Sequence, residues 1–210
     1  MAKRFLIADD HVAIRRGVET LLRDEFPNCE VAHAGTQPEL NSRIASQRWD
    51  LVVLDLSMPG RGGLECIGEI KDASPTTAVL VYTAHPEEQF GVRALRSGAD
   101  AYVTKGAPET VFLQAVHRVL DGKRYITEVI AERMAEYLTQ PSSASPHELL
   151  SDREYQILRL IGSGLSVSEI STELNLSVKT VSTYRKRVLE KLNLHSTAEM
   201  IRYALENNIH

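Results

Sequence analysis

Three carboxylates in this chain follow short apolar runs: Asp9 and Asp10 after residues 5–8, and Asp55 after Leu51, Val52, Val53 and Leu54. An apolar run closed by Pro59 and Gly60 predicts a buried strand and a turn, with Asp55 at the strand's carboxyl end. In an open α/β sheet that edge binds ligands. Carboxylates crowded there repel one another, and a divalent cation relieves the repulsion. Oxygen ligands without a nearby His/Cys set favour Mg²⁺. A carboxylate beside Mg²⁺ can attack a phosphoryl group and form an aspartyl phosphate. Lys105 can then pair with phosphate oxygens, and the Thr83 hydroxyl can bond to one. Before phosphorylation Lys105 would pair with Asp55.

The elements that must position these groups alternate. Strands are predicted at 5–8, 30–34, 51–55, 78–83 and 101–104, and helices at 13–25, 38–48, 64–73, 87–97 and 108–120. This pattern predicts a doubly wound α/β fold, a five-stranded parallel sheet with helices on both faces. The strands end at Asp9/Asp10, Ala34, Asp55, Thr83 and Thr104/Lys105, so acids, a hydroxyl and an ammonium gather on one edge. A further helix is predicted over 125–138. Residues 139–147, TQPSSASPH, read as a semi-stiff linker.

Beyond the linker the pattern is all helical: 152–161, 167–174, 178–192 and 197–207. Ser151/Glu154, Ser166/Glu169 and Ser196/Glu199 have capping-box spacing, and Ser177 is a further N-cap. The tight connector Asn175-Leu176-Ser177 predicts a helix-turn-helix. Charge is unevenly placed. Residues 1–139 carry 16 Lys+Arg against 20 Asp+Glu, residues 140–210 carry 8 against 8, and residues 179–191 hold five cations and one anion. That local excess suits a polyanion partner. Cys29 and Cys66 have no disulfide or zinc spacing and fit reduced thiols in a cytoplasmic protein. No run suits a signal peptide or a membrane span, so no membrane partner is expected.

Residues 1–122 resemble a response-regulator receiver domain, of flavodoxin-like fold. The matches are Asp9-Asp10, Asp55 with Met58-Pro59-Gly60 after it, Thr83-Ala84, Tyr102 and Lys105. The resemblance implies Mg²⁺ held by Asp9, Asp10, Asp55 and the backbone carbonyl of Ser57. It implies that Thr83 and Tyr102 move together on phosphorylation of Asp55, with Ala84 leaving space for the phosphoryl group. Gly106 replaces the proline many receivers carry after the lysine, so a trans bond is expected there. Ser57 and His85 occupy positions that tune phosphoryl hydrolysis in the family. His11 and His85 read as polar loop residues rather than ligands.

Residues 148–210 resemble the LuxR-type helix-turn-helix domain, through Arg153-Glu154, Gly164, Glu169-Ile170, Leu174, Thr180-Val181 and Lys191-Leu192. Val181, Val188, Leu189 and Leu192 supply the buried face of the recognition helix. The resemblance makes Ser182, Thr183 and Lys186 the base-contacting candidates, with Lys179, Thr180, Tyr184, Arg185 and Arg187 near the DNA backbone. Relatives commonly have Lys and His where this chain has Ser182 and Tyr184. The last helix corresponds to one that dimerises in relatives, with Ala198, Ile201 and Leu205 as its face or as core.

Together these place the chain with NarL/FixJ-type response regulators: receiver 1–122, helix and linker 123–147, DNA-binding domain 148–210. A sensor histidine kinase would phosphorylate Asp55, and the protein would bind double-stranded promoter DNA as a homodimer. Two other classes compete. A haloacid-dehalogenase-like phosphatase also uses an aspartyl phosphate, but such enzymes carry a second aspartate where this chain has Ser57. A phosphorylation-independent DNA-binding regulator would use its receiver only for protein contacts.

Overall fold

Strand and helix alternate through the first half of the chain because its apolar residues come in short runs separated by amphipathic stretches. A computed structural model describes residues 2–58, 63–139, 146–174, 176–207 and 209, with the backbone alone at 137–139, 148, 149 and 152. The Pro59-Gly60 turn, most of the 139–147 linker and Asn175 lie outside the described residues. The chain divides into two units, Met1–Pro141 and Ser142–His210.

The first unit runs β1 (Arg4–Ala8), α1 (Val12–Glu25), β2 (Glu30–Ala34), α2 (Gln37–Ser46), β3 (Leu51–Leu54), α3 (Gly63–Ala73), β4 (Ala78–Thr83), α4 (Glu87–Arg96), β5 (Ala101–Thr104), α5 (Glu109–Leu120) and α6 (Glu128–Thr139). The strands form one parallel sheet in the order β2-β1-β3-β4-β5. Leu51 to Leu54 are all buried, as are Ala78 to Val81. Consecutive burial means both faces of the sheet are covered, so these strands need continuous rather than alternating apolar residues. Helices α1 and α5 pack together over one face, and α2, α3 and α4 pack in sequence. Phe5, Val53, Leu80, Val103, Phe112 and Val116 belong to the core under the α1/α5 layer.

The strand order reverses direction between β1 and β3. Ala8 pairs with Leu54 there, and the Asp55 N–H donates to the Ala8 carbonyl at 2.8 Å. Asp9 and Asp55 therefore leave the sheet side by side at its topological switch point, where the splayed loops open a crevice. Gly63 fixes the far side of the loop after β3. A Cβ on it would lie 2.4 Å from Leu56 Cα, so only glycine lets α3 start this close to the chain leaving Asp55.

Helix α6 departs from the sequence expectation. It begins at Glu128 rather than 125, because Tyr125 continues the sheet edge: its N–H donates to the Asp100 carbonyl at 2.9 Å and it bridges Ala101. Thr127 then caps the helix, its hydroxyl accepting from the Ile130 N–H.

The second unit holds a 3₁₀ turn (Pro146–Leu149) and helices α7 (Asp152–Gly162), α8 (Val167–Glu173), α9 (Val178–Lys191) and α10 (Thr197–Glu206). Ile157, Ile161, Ile170, Val181, Val188 and Met200 form its interior. The Ser151 N–H donates to Glu154 and the Ser166 N–H to Glu169, as capping boxes require. The third box differs. Ser196 accepts from the Glu199 N–H, but the Glu199 carboxylate reaches the His195 N–H instead, one residue before the cap.

Candidate functional site

The edge of the sheet at the switch point carries an acid pair and its counter-charge. Asp9 and Asp55 are each 2% exposed, an environment a carboxylate tolerates only when paired. The pairing comes from the end of β5. Lys105 Nζ lies 2.8 Å from Asp55 Oδ2 and 2.6 Å from Asp9 Oδ2. The sequence predicted the first contact and missed the second, because the β1–β3 adjacency that brings Asp9 level with Asp55 is a property of strand order. Burial alone would pull the Lys105 pKa down. Hydrogen bonds and charge attraction from Asp55 and Asp9 outweigh it and hold the ammonium above the ordinary lysine value.

Asp10 faces the same crevice from one residue further on. Its side chain is about one-third exposed. Oxygens of Asp9, Asp10 and Asp55 and a ring nitrogen of His11 all lie within 4.8 Å of one another. His11 follows in the same loop: its backbone N–H donates to Asp9 Oδ1 at 2.7 Å, and its Nδ1 sits 2.8 Å from Asp10 Oδ1. Despite that proximity Asp10 Oδ1 is a buried atom without an aligned hydrogen-bond donor among the described residues. Three acids face one ammonium in the crevice, and one acid oxygen lacks an aligned donor among the described residues. These residues fit a hard divalent cation.

The other wall is the loop after β4. Thr83 is fully buried, and its hydroxyl accepts a long bond from the His85 N–H at 3.5 Å. Ala84 is exposed beside it. His85 Nε2 lies 3.2 Å from the Ser57 hydroxyl, joining the loops after β3 and β4. The Ser57 N–H donates to Asp55 Oδ1 at 3.1 Å. Tyr102 is completely buried, and its hydroxyl donates to the His85 carbonyl at 3.0 Å. Asp9, Asp10, Asp55, Ser57, Thr83 and Lys105 therefore converge, while Tyr102 touches the loop after β4 from beneath. No described peptide bond is cis, as expected for Lys105-Gly106.

In the second unit α9 follows α8 after a short connector, and Ser177 caps it by accepting from the Thr180 N–H at 3.0 Å. Val181 and Val188 are fully buried and Leu192 nearly so, while Leu189 is only partly covered. Lys179, Thr183, Lys186 and Arg187 are exposed, and Thr180, Ser182, Tyr184 and Arg185 are partly covered. Arg187 lies over the Tyr184 ring, 5.8 Å from its centroid. Arg185 does something the sequence did not indicate: its Nε donates to the Thr197 hydroxyl at 3.0 Å, tying α9 to α10. Within that same unit Lys191 Nζ pairs with Glu154 at 2.6 Å.

Residues 5–117 match the response regulator receiver domain, and residues 148–204 match the LuxR family of bacterial regulatory proteins. This chain is a response regulator of the NarL/FixJ type. It is 35% identical to the response regulator UvrY of Escherichia coli K12 over 97% of this chain and 94% of that one. It is 37% identical to the response regulator GacA of Pseudomonas viridiflava over 98% and 97%. Among solved structures it resembles RcsB of Salmonella enterica serovar Typhimurium bound to promoter DNA with the phosphomimetic BeF₃⁻ (TM-score 0.60, 26% identity, 97% and 98% covered). This response regulator belongs with transcription regulators, which removes the phosphatase alternative. No described helix is long and apolar enough to cross a membrane.

Proposed function

We propose that this regulator is switched by phosphorylation of Asp55 from a partner histidine kinase, and that the switched form binds promoter DNA as a homodimer in the cytoplasm. The single observation that carries the reading is Lys105 bridging Asp9 and Asp55 at 2.6 and 2.8 Å. Two buried carboxylates on one ammonium form a poised site: the acceptor acid is oriented and within reach of a counter-charge for the incoming group. Asp9, Asp10, Asp55 and the Ser57 carbonyl would hold Mg²⁺. When bound, the ion offsets the charge of the phosphoryl oxygens. Asp55 attacks the phosphorus and the kinase's phosphohistidine nitrogen departs. Lys105 then pairs with a phosphoryl oxygen, the Thr83 hydroxyl donates to another, and Ala84 leaves room. Tyr102, bonded to the His85 carbonyl, carries the loop movement across β5.

At the output end, Lys179, Thr180, Tyr184, Arg185 and Arg187 would meet phosphates, and Ser182, Thr183 and Lys186 base edges. On α10, Ala198 and Leu205 are exposed and Ile201 partly so, at helical spacing, which suits a two-fold contact. By function the chain divides into a receiver (1–122), a helix and linker (123–147) and a DNA-binding domain (148–210).

Asp55→Asn tests the input. The variant keeps the shape and one acceptor oxygen, so it should fold normally and take up no acid-stable, base-labile phosphate from acetyl phosphate with Mg²⁺. Normal labelling of the variant contradicts the assignment.

A further inference from the structure

Helix α6 is amphipathic in sequence. It lies against α4. Contacts at its N-terminal end anchor it. Ile130 is fully buried and presses on Gly91, where a Cβ would come within 2.7 Å of its side chain. The Thr127 hydroxyl donates to Glu87 Oε2 at 2.8 Å. Tyr125 is sewn to the edge of β5 just before it. Glu87 and Gly91 are one turn apart, so both contacts use the same face of α4.

The described attachment centres on the first turn of α6. Ile130 is the sole fully buried side chain described on α6, while Glu128, Ala131, Glu132, Arg133, Ala135 and Glu136 are exposed. A helix with one fully buried side chain among those described opens at lower free energy than a core helix. The attachment is also placed where the site can reach it. Glu87 is the first residue of α4, two positions after His85. His85 in turn carries the bonds to Ser57, Thr83 and Tyr102.

We propose that α6 is a releasable strap on α4, and that loading the Asp55 pocket weakens its grip. The inference rests on Asp55 being the phosphoryl acceptor. In this structure the Thr83 hydroxyl is turned to the His85 N–H. A phosphoryl oxygen on Asp55 competes for that hydroxyl and for the N–H, drawing residues 84–86 toward the pocket. Glu87 follows the loop, the Thr127 bond lengthens, and Ile130 loses its seat over Gly91. Because α6 leads into the 139–147 linker, release lengthens the tether of the DNA-binding unit and uncovers the Gly91 face of α4. Linkage is reciprocal: whatever factor the phosphoryl group takes from strap docking, undocking returns to phosphoryl affinity.

Hydrogen–deuterium exchange of the full chain, in Mg²⁺ alone and with beryllofluoride, reads both ends at once. Expected are protection around Asp55 and Thr83 and exchange over 128–136 faster by about fivefold or more. Protection at the pocket with unchanged or slower exchange over 128–136 overturns the strap and leaves the acceptor assignment standing. No protection at Asp55 overturns both. Thr127→Val and Ile130→Ala should lower the beryllofluoride concentration for half-protection at Asp55 by the same factor. An unchanged concentration in both variants also overturns the strap.

Discussion

Lys105 is the residue on which the resting pocket depends. It offsets two carboxylates that are almost wholly inaccessible to water, and removing it leaves both without their cation. Lys105→Met should therefore destabilise the first unit by about 1–3 kcal/mol in chelator, the usual cost of orphaning a buried polar group. Mg²⁺ should recover more stability in the variant than in the parent, since a cation then has more charge to neutralise. The pH dependence has a definite sign. The Lys105 pKa is raised in the folded chain, so its contribution is complete below the ordinary lysine value of about 10.4 and is lost as pH rises through the raised value. Urea titrations of parent and variant should show a constant gap from pH 6 to 9 that narrows only in strong alkali. Asp55, Thr83 and Lys105 were legible in the sequence because each ends an apolar run. The Lys105–Asp9 contact and the placement of His11 were not, because both depend on which strands become neighbours.

Element boundaries follow from capping chemistry more than from hydrophobic period. Ser151, Ser166 and Ser177 start their helices where the sequence places them, since capping an orphan N–H is a local event. Residue 125 misleads because the apolar pattern of α6 extends back through it, while sheet pairing, a tertiary demand, claims Tyr125. The Gly91–Ile130 contact is invisible in sequence for a similar reason: an isolated glycine in a helix does not say which neighbour needs the space. Glu154 shows how a cap can do a second task. Its side chain is only 3% exposed and serves the Ser151 N–H and Lys191 together. Burial would raise its pKa, but those bonds and the Lys191 charge hold it below the usual carboxylate range. A depressed pKa means stability that is present above about pH 4.3 and lost as pH falls through the lower value. Glu154→Gln should cost the second unit about 1–3 kcal/mol at pH 7. Denaturation curves of the two proteins should converge as pH falls through that lower value.

At the scale of the whole molecule, net charge is −4, yet residues 179–191 are cationic. DNA binding should then rest on a few phosphate contacts and weaken with salt. Lys179→Ala should lower the slope of log affinity against log salt by about 1 on every duplex. Thr183→Ala should leave the slope alone and relax one position of the site at a cost of about 1–3 kcal/mol. Anisotropy titrations across a salt series separate the two outcomes. Both units could be read from the sequence, because each has its own periodicity and a proline-serine stretch divides them. How the input changes the output is a property of the assembled chain. The most direct test is the affinity of the full chain for a duplex selected from a random pool, measured at one salt concentration with Mg²⁺, before and after acetyl phosphate. Phosphorylation should tighten binding at least tenfold in the parent and leave Asp55→Asn unchanged. Equal affinity in the parent before and after phosphorylation would contradict the account.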